Sequence, residues 1–172
     1  MDIRSSAGQR FSSPRKANTV DSNFIQNNKI LHHKILETSQ SADNLNGGLI
    51  EMYRRDVLSE KTRTVRLVGV KSDAKIIQSL LGYEVQARHK RINCPDLVTA
   101  RYLKLFSELG CHSIRLPYDP TSTARLIPLM EQAFQRVKDT VDEIFPENPK
   151  LQQYTLQKIY TIIRNELRSS KF

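Results

Sequence analysis

Residues 93–110, NCPDLVTARYLKLFSELG, constrain the fold more than any other stretch of this chain. Pro95 suits the first turn of a helix, and Asp96 suits its positive end. Leu97, Ala100, Tyr102, Leu103, Phe106 and Leu109 recur at helical spacing, and Gly110 supplies a stop. A helix with so wide an apolar face has to bury it. The runs around it are short and strand-like. TRTVRLVGV (62–70), YEVQARHKRI (83–92) and CHSIRLP (111–117) alternate as strands do.

Between the first two runs, KSDAKIIQSLLG (71–82) predicts another helix. Ser72 would cap it, Ile76, Ile77, Leu80 and Leu81 would form its stripe, and Gly82 would end it. LIEMYRRDVLSE (49–60) places Leu49, Met52, Tyr53 and Val57 at helical spacing. After the third strand, LIPLMEQAFQRVKDTVDEIF (126–145) carries a nearly heptad seam of Ile127, Met130, Phe134, Val137, Val141 and Ile144. Pro128 should mark its start or kink it. PENP then breaks the chain before a last helix, LQQYTLQKIYTIIRNELRSS (151–170). Helices alternating with strands predict an α/β fold. The expected sheet is small, three-stranded and partly parallel, built from βαβ units and followed by two long C-terminal helices.

Residues 1–47 are polar and end in SADNLNGG, a linker signal. They predict a largely disordered arm with a short amphipathic helix at 24–36, ahead of a single α/β domain at 48–172. RFSSPRK in the arm sets Ser12 and Ser13 among basic residues, where a phosphate would lower the local positive charge. The longest apolar runs fall short of the ~20 residues that cross a bilayer, so a membrane is not among the expected partners. The first residues lack the apolar core of a secretory signal. Two cysteines do not make a disulfide framework, which predicts a reducing, cytoplasmic setting.

Twenty-seven Lys and Arg oppose 18 Asp and Glu, a formal net charge of +9. The excess lies in the middle of the chain, where residues 48–120 hold thirteen bases and eight acids. A balance of this kind favours a polyanionic partner. Strand alternation would place Arg66, Arg88, Lys90 and Arg115 on one sheet face, with Arg91 nearby on the other side of its strand. Such a face can lie along a phosphate backbone. The strands carry almost no aromatic residues, so no platform for stacking bases is expected. Backbone contact with RNA or DNA is the expected mode, rather than sequence readout.

Cys94 stands near the start of the 93–110 helix, where a thiol pKa can fall. No base is placed beside it by any local motif, and the expectation is a structural cysteine. Cys94 and Cys111 are separated by a helix of ~20 Å, which excludes a shared metal or a disulfide between them. No catalytic set, metal or cofactor is assigned. A parallel sheet would gather the carboxyl ends of its strands at one edge, and there Lys71 and Ser72 become candidates for a phosphate-bearing ligand. No glycine-rich phosphate motif accompanies them.

The sequence thus predicts a non-enzymatic, nucleic-acid-associated accessory or regulatory protein. Two alternatives stand beside it. One is a protein–protein adaptor or assembly factor, or a homodimer, using the C-terminal helices or the 24–36 segment. The other is a small phosphate-ligand-binding domain at the strand edge.

Overall fold

The computed structural model describes residues 48–170. The arm, with its 24–36 segment and RFSSPRK, lies outside the described residues. Helix α1 (Leu49–Met52) continues into a π-helical turn, Tyr53–Val57. Strands β1 (Thr62–Arg66), β2 (Ala74–Ser79), β3 (Gly82–Ala87) and β4 (Lys90–Cys94) follow. Helix α2 (Leu97–Glu108), strand β5 (Ser113–Pro117) and the long helices α3 (Pro120–Ile144) and α4 (Pro149–Ser169) complete the described chain.

The fold is mixed α/β, but both of its sheets are antiparallel. β2, β3 and β4 form a meander, and β1 pairs with β5 in a separate two-stranded ribbon. The expected partly parallel sheet is therefore corrected. The reason lies in Lys71–Gly82, where a crossover helix was expected and β2 with a tight turn is found. Without a crossover, successive strands can pair only antiparallel. Of the four residues in the supposed stripe, Ile76 alone packs on the core. Ile77 is exposed, and Leu80 and Leu81 stand fully in solvent at the turn.

A second turn corrects the expected strand at 83–92. Arg88 and His89 form a two-residue connection between β3 and β4, and Ala87 pairs with Lys90. Directly opposed residues share a face. Lys90 therefore lies on the side of buried Ala87 and Val85, and Arg91 lies on the outer side with Gln86. This reverses the sides that simple alternation assigned.

Helix α2 is the centre of the core. Tyr102, Leu103, Phe106 and Leu109 are at most 2% exposed. The helix packs against the meander on one side and α3 on the other. Asp96 is its N-cap, and Pro95 precedes the helix rather than lying in its first turn; the Asp96 carboxylate accepts from the Thr99 backbone N–H at 2.6 Å and from the Thr99 hydroxyl at 2.9 Å. α3 begins six residues earlier than expected, at Pro120, where Asp119 accepts from the Thr121 N–H at 2.9 Å. Pro128 lies inside α3, on an exposed face, without ending the helix. The seam buries Ile127, Met130 and Phe134 within the same core; Val141 is buried apart from it, and Val137 and Ile144 are half-buried. An ion pair between Arg101 and Glu131 joins α2 to α3.

The free edge of β5 is covered by two tyrosines. The Arg115 N–H donates to Tyr53 Oη at 3.1 Å, and Tyr102 Oη donates to the Arg115 carbonyl at 2.7 Å. Both rings pack on Phe106, with centroids 5.9 and 4.9 Å away. An edge strand is thereby closed to further pairing, with its backbone groups satisfied.

Candidate polyanion groove

One face of helix α4 lines two adjoining concavities. Gln153, Gln157, Tyr160 and Arg164 border the first, and Arg164, Leu167, Arg168 and Ser170 border the second. Arg164 belongs to both. Residues 153, 157, 160, 164 and 168 recur at helical spacing, and from Gln153 to Arg168 the stripe spans about 22 Å.

The second concavity, of about 510 Å³, lies over the outer face of the β1–β5 ribbon. Thr64 opposes Arg115 and Arg66 opposes Ser113, so these four share that face, while Val65, Ile114 and Leu116 turn to the core. Thr62, Thr64 and Ser113 bring hydroxyls to the wall, and Arg115, Arg164, Arg168 and His112 bring basic groups. No carboxylate is among its described lining residues. Leu67 and Gly69 extend the ribbon by donating N–H bonds to the His112 and Cys111 carbonyls, at 2.8 and 3.0 Å. Gly69 has φ 79°, and a Cβ there would lie 2.1 Å from His112 Nδ1. The imidazole occupies the space that this glycine leaves open.

The first concavity, of about 660 Å³, is walled by Lys71, Ser72, Asp73 and Arg88 opposite α4. Lys71 Nζ stands 5.1 Å from the centroid of the Tyr160 ring. Gly110, with φ 78°, allows the two walls to meet. A Cβ on it would lie 2.5 Å from the Lys71 backbone nitrogen and 2.9 Å from an Arg164 guanidinium nitrogen.

The last turns of α4 are fastened across the molecule by Arg54. Its Nη2 donates to Glu166 Oε2 at 2.6 Å, and its Nε donates to Ser170 Oγ at 2.7 Å. The ion pair is half-exposed and adds little stability by itself. It occupies Glu166, however, and so keeps that carboxylate engaged away from Arg164 and Arg168.

The basic residues singled out in the sequence are only partly brought together. Arg66 and Arg115 share the ribbon face, as alternation required. Lys90, on the meander, reaches only the Arg66 backbone, its Nζ donating to the Arg66 carbonyl at 2.8 Å. Arg88 instead joins Lys71 and Ser72. Arg91 is set apart on the outer face of the meander, 3.8 Å from Glu84. The expected edge of parallel strand ends does not exist, since Lys71 and Ser72 precede β2 rather than cap a crossover helix. Arg164 and Arg168 were missed. Their signal was the stripe 153–157–160–164–168, which runs beside the buried residues Thr155, Ile163 and Leu167.

The cysteines flank α2 and are free and buried. Burial raises the Cys94 thiol and pushes Cys111 up to about 12, against the pull of Arg164 and Arg168. Neither is poised as a thiolate at neutral pH. Burial also pushes the Tyr160 phenol up to about 12, and raises Tyr102 and Tyr53. An unfolded chain gives up these protons near ordinary values, ~8.5 for a thiol and ~10 for a phenol. Above roughly pH 9 the unfolded state therefore holds fewer protons than the folded one, and stability falls as pH rises. Urea midpoints measured from about pH 8 upward should decline once the thiol range is passed. Cys111→Ala should reduce the earliest part of that decline, leaving the share that belongs to Cys94.

No protein-family model, curated protein or solved structure matches this chain. What the geometry defines is a mixed α/β domain with a basic groove along its last helix. Among the described residues no helix is long and apolar enough to cross a membrane.

Proposed function

We propose that this protein is a non-enzymatic, nucleic-acid-associated accessory protein that holds a phosphate backbone in the α4 groove. One observation carries the reading: two adjoining concavities share Arg164 and present Arg115, Arg168, Lys71 and Arg88 against a single lining carboxylate, Asp73. None of these five cations has an ion-pair partner among the described residues. Arg66 continues the basic surface along the ribbon face.

A line of about 22 Å is long enough to run beside several successive phosphates of one strand. The hydroxyls of Thr62, Thr64 and Ser113 are suited to bond phosphate oxygens, and they fix position rather than sequence. No described aromatic side chain lines the ribbon concavity except Tyr53, and that ring is buried in the core. This favours backbone contact over base stacking.

Fluorescence anisotropy with a labelled oligonucleotide, single-stranded or duplex, tests the proposal. Five contacts predict that log affinity falls against log salt with a slope of about −3.5 to −4.5. A slope near zero, or no binding at about 50 mM salt, would sink it.

A further inference from the structure

We infer that the pocket formed by Lys71, Ser72, Arg88 and Arg164 is a phosphate-monoester site. In the nucleic-acid reading, on which this inference rests, it receives the terminal phosphate of a strand whose backbone follows α4. The same chemistry is offered by a free nucleoside monophosphate.

The first support is conformational. Arg88 has φ 53° in the two-residue turn between β3 and β4, and no other described non-glycine residue has a positive φ. Glycine adopts this region freely, and a side chain there is strained. The residue found at this unfavourable position is an arginine that lines the pocket. Strain of this kind persists where the surrounding structure enforces it, and it concentrates at ligand sites.

The second support is an unused hydroxyl. Ser72 Oγ is shielded from solvent and meets no hydrogen-bond partner among the described residues. Buried hydroxyls are ordinarily paired. Ser72 is a lining residue of the pocket, next to Lys71 in the chain, and a rotation of its side chain would turn the hydroxyl into it.

The third support is charge and size. Three cations and one carboxylate, exposed Asp73, line the space. A monoester dianion gains more from such a cluster than a diester with a single charge. The volume of about 660 Å³ lies within the range of small-ligand pockets and leaves room for the group that carries the phosphate.

The test compares oligonucleotides of one sequence with a 5′-phosphate, a 3′-phosphate or hydroxyl ends, together with titration of a nucleoside monophosphate. A terminal phosphate is expected to tighten binding about tenfold. Arg88→Gly should remove that increment while leaving the Tm at or above the wild type's. Ser72→Ala should reduce the increment without lowering the Tm. Equal binding of phosphorylated and hydroxyl-ended strands overturns the monoester site. If Arg168→Gln still weakens both strands, the backbone reading survives that loss. Nucleoside monophosphate binding that disappears in Arg88→Gly, without any oligonucleotide binding, supports the pocket and removes the backbone reading. An increment that survives Arg88→Gly overturns the assignment to this pocket.

Discussion

Exchanging Arg164 and Arg168 together for glutamine is expected to weaken oligonucleotide binding about a hundredfold at low salt. Each lost charge-assisted contact is worth roughly a factor of ten. The salt slope should also flatten by about 1.4 to 1.8, the share of two phosphates. The fold should tolerate the change. Arg168 is exposed, and Arg164 is tied by a bond from Nη2 to Thr161 Oγ1 at 2.8 Å, within its own helix. A Tm close to the wild type's would show that the loss belongs to the groove. Arg91→Gln is the contrasting variant. Arg91 stands on the outer face of the meander, so its removal should change neither affinity nor slope appreciably. If the double variant binds normally while Arg91→Gln does not, the interface is the meander face and the groove proposal fails.

The second large effect concerns Gly110. Gly110→Ala is expected to destabilise the protein by roughly 3 kcal/mol, through two independent costs. A left-handed backbone costs a side chain ~1–2 kcal/mol, and forcing atoms into filled space costs ~1–3 kcal/mol. The filled space is specific: the new methyl would meet the Lys71 backbone nitrogen at 2.5 Å. A backbone neighbour cannot swing aside as a side-chain end can. For a domain of this size the Tm should fall on the order of 10 °C. The variant should also weaken phosphate binding under conditions where it remains folded, because Arg164 and residues 70–71 are displaced together. Thermal unfolding followed by anisotropy on the folded fraction separates the two effects. A Tm within about 2 °C of wild type would show that the junction of the two walls is looser than described.

Much of the scaffold was legible along the chain. The α2 segment announced an acidic residue at its positive end in Asp96, its buried face through Phe106 and Leu109, and its stop at Gly110. These signals are local, and the structure uses each of them. The two long C-terminal helices and the buried seam of α3 were legible for the same reason. Lys71–Gly82 was not. Ile76, Ile77, Leu80 and Leu81 satisfy a helical stripe, and the same residues satisfy a short strand with an apolar turn. The choice was made by pairing with β3, which belongs to no local window. The separate two-residue turn at Arg88–His89 pairs Ala87 with Lys90 and so moved Lys90 and Arg91 to the sides opposite those expected.

The sequence by itself determined that this chain carries an excess of positive charge, a central amphipathic helix and strands poor in aromatic residues. Composition and short-range periodicity are enough for those properties, because each depends on residues within a turn or two of one another. Only the tertiary structure decided where the charge collects. Arg164 meets Lys71 and Arg88 across more than seventy residues of chain, and Arg115 joins them over the ribbon face. Spacing along a chain does not encode such a meeting. It follows from α4 packing against α3 and α1, and from a glycine at 110 that lets the walls close.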